Sequence, residues 1–328
     1  MKNTILLRHT LGHFCVDASC AAVVISATRN IPEATIFFVL YNFLAFCLQP
    51  FAGLLLDKFR RISPAQYVLI SFILLLLGFI PMLNIWAKVL LVGIGNCLFH
   101  VGAGTVILTK AQKKMAPLGI FVSSGAMGLT LGTIFASKLV CHALLIGSII
   151  ALIIVNFNLE QKQIAHVAKK VHSKVAFLLC VCVTIRSFMG FMPLAQFHKT
   201  PEILVLITGG VVLGKMLGGI LCDYYGIRKT VFISTGCVML LFLFSFQNPY
   251  LWTIVQMIVN LSMPITLYLM YRSMPKYPAF SFGLAAACLV IGLVATWPLA
   301  HITFPPVCLL GLFVLNSYLI LVAEGELK

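Results

Sequence analysis

The stretch GGILCDYYGIRK, residues 218–229, decides the reading of the fold, because the chain carries a second version of it. GLLLDKFRR occupies residues 53–61. Gly53 aligns with Gly219 and Asp57 with Asp223, both at an offset of 166 positions. In each copy a glycine, an aspartate and a basic cluster close an apolar run. The bases are Lys58, Arg60 and Arg61 in the first copy, and Arg228 and Lys229 in the second. Bases at such a place are attracted by helix C-terminal carbonyls. The aspartate either pairs with them or caps a neighbouring helix. A repeat at half-chain spacing predicts two related halves.

The solvent for most of the chain is lipid. Of 328 residues, 61% are hydrophobic and 9% charged, against about 25% charge in a soluble domain. The net charge of +15 does not indicate nucleic acid, because the bases lie in short segments between apolar runs and not on one soluble face. Twelve apolar segments fall near 10–28, 33–56, 65–83, 86–109, 117–137, 139–157, 174–194, 202–222, 230–246, 250–271, 279–298 and 304–323. Each approaches the length of about 20 residues that a membrane helix needs. No alternation of barrel strands is present, so the expected class is an all-α polytopic membrane protein.

Charge then orients the chain. Segments grouped with the N-terminus hold 17 bases and the opposite loops hold Arg29, Lys88, Lys138 and Lys199. This bias places both termini in the cytoplasm. The basic, polar residues 158–173 read as a cytoplasmic linker between an N-terminal six-helix half, 1–157, and a C-terminal half, 174–328. Eleven cysteines are scattered through apolar runs without zinc spacing or a disulfide framework, so they read as small apolar fillers. No cofactor and no metal is expected.

The two repeated stretches resemble the signature loop of the major facilitator superfamily. The second copy matches in Gly219, Asp223, Gly226, Arg228 and Lys229, with Tyr224 in place of a base. The first has Gly53, Asp57, Lys58, Arg60 and Arg61 but no second glycine. Within that superfamily, HFCVD (13–17), GNCLFHVGAG (95–104) and IRSFMGFMP (185–193) resemble exporters of the fosmidomycin-resistance type. Such exporters usually follow the Phe-His of the fourth helix with proline and an acidic residue, where this chain has Val101, Gly102 and Ala103. In GAMGLTLGT, Thr133 stands where the glycine-rich antiporter pattern usually has proline.

Three strongly charged residues fall inside apolar segments: Asp17, Arg186 and Lys215. At about 1.5 Å per residue, all three reach a similar depth near the bilayer midplane. An arginine there costs roughly 2.5–3.5 kcal/mol on insertion scales, so it needs a reason. Asp17 and Arg186 lie on the first helix of each half and are expected to face each other across a central cavity. They form either a fixed ion pair or a site in which Arg186 binds an anionic group and releases Asp17. His13 is four residues before Asp17, on the same helix face, which makes Asp17 and His13 the candidate proton carriers. His100 is a candidate substrate or proton contact. Lys215 lies in a glycine ladder of Gly210, Gly214 and Gly218 that favours close helix packing, and either contacts substrate or snorkels. Phe188 is a candidate substrate contact, although packing is the commoner use of such a ring. Pro264 is expected to bend the tenth segment.

Guanidinium suits carboxylate and phosphate oxygens alike, so the expected substrate is a small anion. The resemblance implies a monomeric, proton-coupled antiporter that effluxes a small organic anion or drug across the cell inner (plasma) membrane, its halves rocking about a midplane site. Gly53, Asp57, Arg60, Arg61, Gly219, Asp223, Gly226 and Arg228 would form a conformational latch that closes the inner side. An uptake permease for an anionic metabolite is the alternative. An intramembrane enzyme is disfavoured by the lack of a nucleophile pattern or a His-Glu-x-x-His motif, and no phosphate loop implies ATP.

Overall fold

The computed structural model describes residues 3–59, 62–111, 113–157, 170–191, 200–242, 248–299, 302 and 304–328. These residues are helical throughout their ordered elements. The helices are α1 (Asn3–Thr28), α2 (Ala34–Lys58), α3 (Pro64–Gly78), α4 (Ile85–Lys110), α5 (Ala116–Ile134) and α6 (Leu139–Phe157), then α7 (Ser173–Phe191), α8 (Pro201–Tyr225), α9 (Ile227–Phe242), α10 (Pro249–Ser273), α11 (Pro278–Val294) and α12 (Pro306–Glu326). Each coincides with one of the twelve apolar segments. Among the described residues, nine are long and apolar enough to cross a membrane, and α3 and α11 are shorter apolar helices. Large side chains such as Leu139, Leu240 and Phe51 are exposed, as a lipid-facing surface requires.

Local sequence sets the ends and the breaks. Ser63 caps α3 in a reciprocal box with Gln66, and Thr200 caps α8 just before Pro201. Two helices are interrupted where proline removes an intrahelical donor. In α2 a π-helical turn spans Phe43–Cys47, immediately before Pro50. In α10 the α-helix stops at Asn260 and resumes at Ser262, and Pro264 cannot donate to the Asn260 carbonyl. The helix is thus interrupted close to Pro264, where the sequence predicts a disturbance.

The helices group into two compact units. The first comprises 1–112, 124–167 and 277–283; the second comprises 113–123, 168–276 and 284–328. Within the first, α5 lies against α1 through Gly125, Gly128 and Gly132. A side-chain carbon at Gly128 would collide with the Phe14 carbonyl, and one at Gly132 with that of Ala18. Within the second, α8 lies against α10 in the same manner. Gly210, Gly214 and Gly218 meet the carbonyls of Thr253, Met257 and Leu261, two sets of residues each repeating every four positions. Hydrocarbon gives no hydrophobic drive between helices, so small residues that admit backbone contact carry the association. Trp252, Val255 and Val259 of α10 pack with Met189, Ile207, Val238 and Phe313 around this seam.

Candidate functional site

In the first unit three proton-binding groups converge from two helices. His13 and Asp17 follow one another by a turn on α1, with His13 Nε2 3.3 Å from Asp17 Oδ2. From α4, His100 brings its Nε2 to 2.9 Å from His13 Nε2 and 3.7 Å from Asp17 Oδ1. Asn96, one turn before His100, donates its side-chain amide to Asp17 Oδ1 at 2.9 Å. Both histidines and Asn96 are buried, and the Asp17 side chain is 13% exposed. Phe99 closes the cluster, its ring 6.1 Å from that of His13. Gly125 of α5 backs it, since a side-chain carbon there would strike His13 Nε2 and Asp17 Oδ2.

The hydrogen bonds fix much of the protonation. His100 Nδ1 lies 3.0 Å from the Asn96 carbonyl, which can only accept, so Nδ1 carries a proton. In the neutral ring Nε2 is then the bare nitrogen, directed at His13 and Asp17. The two Nε2 atoms at 2.9 Å share one proton. A further proton arriving here finds, beside the paired imidazoles, a carboxylate steadied by an amide.

In the second unit Arg186 of α7 is 5% exposed. Its guanidinium donates to Thr266 Oγ1 at 2.8 Å and contacts Met263 Sδ at 2.8 Å. Both partners flank Pro264 in α10, just beyond the interruption of that helix. Neither partner is charged. Within its own unit each expected member of the Asp17–Arg186 pair has polar partners: Asp17 has Asn96 and the histidines, and Arg186 has Thr266 and Met263. Lys215 of α8 donates to the Val122 carbonyl at 3.3 Å. The Phe188 ring stands edge-on to that of Phe304, centroids 6.0 Å apart.

The repeated signature has a physical content that its two copies share. Asp57 accepts from the backbone N–H groups of Ala279 at 3.1 Å and Phe280 at 2.8 Å, in the first turn of α11, all within the first unit. Asp223 accepts from the N–H groups of Met115 at 2.7 Å and Ala116 at 3.0 Å, where α5 begins, all within the second unit. Each carboxylate therefore caps the positive end of a helix. The glycine one turn earlier admits that helix: a side-chain carbon at Gly53 would strike the Ala279 carbonyl, and one at Gly219 would strike that of Met115. Gly226 ends α8 with φ of 80°, a conformation for which glycine is suited. Arg228 forms an ion pair with Glu324, Nε to Oε2 at 2.9 Å. Arg60 and Arg61 lie outside the described residues.

Asp57→Ala and Asp223→Ala are each expected to lower the unfolding temperature of the detergent-purified chain. Each leaves two N–H groups of a helix start uncapped, a loss of about 1–2 kcal/mol. Thermal unfolding of both variants at the wild-type temperature would rule out the capping role.

Sequence reasoning missed Asn96, Thr266 and Met263. Asn96 had a usable signal, since it precedes His100 by four residues and shares its helix face. Thr266 and Met263 had only their closeness to Pro264.

No family model matches the chain, and no curated protein does. Solved structures match over nearly its whole length. A major facilitator superfamily transporter, FucP, in the outward conformation superposes with a TM-score of 0.72 at 11% identity, covering 99% of this chain and 98% of that one. The human organic anion transporter MFSD10 gives 0.70 at 12% identity, covering 96% and 98%. A bacterial homologue of the iron transporter ferroportin, in the outward-facing state, gives 0.60 at 13%, covering 98% of each. Superposed over nearly its whole length on such proteins, this chain has the fold of the major facilitator superfamily transporters.

Proposed function

We propose that the protein is a secondary active transporter that effluxes a small organic anion in exchange for protons, by alternating access between two six-helix halves, 1–157 and 174–328. The observation that carries this reading is the burial of Arg186 against neutral partners. A buried guanidinium keeps its charge and is expensive to leave uncompensated. An anionic ligand with carboxylate, phosphate or phosphonate oxygens supplies the missing charge. Proton coupling is assigned to Asp17 and His13, joined by His100, because these are three titratable groups within hydrogen-bonding reach at one place in an apolar helix pair. Lys215 adds a second positive charge in the same unit. Phe188, on the same helix as Arg186, is kept as a candidate substrate contact.

Solved proteins with this fold include transporters of both kinds invoked here. MFSD10 is an organic anion transporter, and the E. coli FucP is a fucose:proton symporter. The export direction rests on the resemblance of residues 13–17, 95–104 and 185–193 to the fosmidomycin-resistance exporters. The excess of bases beside the helix ends that hold Asp57 and Asp223 assigns that side, and both termini, to the cytoplasm of a cell whose plasma membrane the chain spans. The two carboxylate caps are then the inner latch, and they favour the outward-facing state.

The test is flux into sealed proteoliposomes under an imposed pH gradient, across a panel of small carboxylates, phosphates and phosphonates. Movement of an anion that depends on the gradient is the expected result. Chemical turnover of a panel compound by detergent-solubilised protein, with no gradient-dependent movement of any of them, would reject it.

A further inference from the structure

The cluster on α1 and α4 has the donor set of a metal site as well as of a proton relay. We propose that His13, Asp17 and His100 bind one first-row transition-metal dication of the Co²⁺, Fe²⁺ or Zn²⁺ kind, in competition with the proton they share. This rests on the same residues as the coupling assignment above and deepens it, by naming a second occupant for that site.

Five observations support the proposal. One ligand atom from each residue lies within 4.8 Å of the other two. The Nε2–Nε2 separation of 2.9 Å and the His13 Nε2–Asp17 Oδ2 separation of 3.3 Å are close to those of donors bonded at about 2.0–2.2 Å to one ion, for which neighbouring donors stand roughly 3 to 3.5 Å apart, and His100 Nε2 stands 3.7 Å from the other carboxylate oxygen. Next, the tautomer is already the ligating one. The hydrogen bond from His100 Nδ1 to the Asn96 carbonyl leaves Nε2 as the donor atom, and metal-bound histidines are oriented by this kind of outer contact. The ligating carboxylate is held in the same way, by the Asn96 side-chain amide. Finally, the amide oxygen of that side chain is buried without a hydrogen-bond partner, so the surroundings still offer a neutral acceptor beside the three ligands.

Ligand chemistry sets the class of ion. Two imidazoles and one carboxylate favour mid- to late-row dications, whereas Mg²⁺ and Ca²⁺ prefer all-oxygen cages. No redox step is involved. The metal takes the lone pairs of two neutral imidazoles and a carboxylate oxygen, and the proton shared by the Nε2 atoms leaves to solvent.

The experiment is titration of the detergent-purified full-length chain with Co²⁺ alone, followed by its visible ligand-field absorption and by equilibrium dialysis. The expected result is one bound Co²⁺ per chain, with a nitrogen–oxygen spectrum lacking thiolate charge-transfer bands, which separates this site from the cysteines. His13→Gln, His100→Gln and Asp17→Asn should each abolish that spectrum, and Asn96→Ala should weaken binding by about 10- to 100-fold. Mg²⁺ should not compete. A folded wild-type chain that binds no Co²⁺, or whose bound Co²⁺ is indifferent to all four substitutions, overturns the proposal. Anion flux with blank metal titrations would sink only the metal site. Metal binding without any flux would sink only the transport reading.

Discussion

In Asp17→Asn proteoliposomes, pH-driven anion flux should fall to the level of empty vesicles, while expression and folding stay at wild-type levels. The substitution is nearly isosteric, and its side-chain oxygen still accepts from Asn96, whose amide lies 2.9 Å away in the parent. What it removes is the ionisable oxygen. Asp17 is faced by His13 from its own helix and by His100 and Asn96 from α4, while Gly125 brings no side chain from α5. Binding of the anion itself should persist, because Arg186 has its contacts elsewhere, with Thr266 and Met263. Normal gradient-dependent flux in the variant would remove Asp17 from the coupling role.

Arg186→Ala should have the opposite signature, weak binding at every pH. Loss of one partner from a buried, hydrogen-bonded charge contact costs about 2 kcal/mol or more, which is roughly a thirtyfold rise in Kd. Arg186→Lys keeps the charge but not the planar fork, so it should recover only part of the affinity for a carboxylate or phosphonate. The lysine variant also guards against misreading a folding defect, because it leaves the buried cation in place. Anion affinity unchanged in a binding assay on folded Arg186→Ala protein would return this residue to a purely structural part.

These two variants separate roles that the amino-acid string had joined. At about 1.5 Å per residue, the distance of Asp17 and Arg186 from their helix ends gives their depth. It does not give the direction each side chain takes around its helix relative to its neighbours. Packing gave Asp17 to α4 and Arg186 to the interrupted part of α10, where Thr266 and Met263 become reachable once Pro264 has disturbed the helix.

What the sequence determined by itself is whatever a helix of fixed pitch in lipid dictates. Apolar run lengths set the twelve segments; Pro264 set the break in α10; the four-residue spacing of His13 and Asp17 put them on one face; and the Gly210, Gly214 and Gly218 ladder announced a close helix neighbour. The half-chain repeat also located two carboxylates of equal purpose. Tertiary structure alone decided the identities of the partners: that the ladder meets Thr253, Met257 and Leu261, that Asp57 and Asp223 cap α11 and α5, and that Asn96 and His100 complete the cluster from 79 and 87 positions away. The reason is that helical geometry is local and periodic, whereas a buried polar group takes its partner from whichever helix the close packing of backbones brings within about 3 Å.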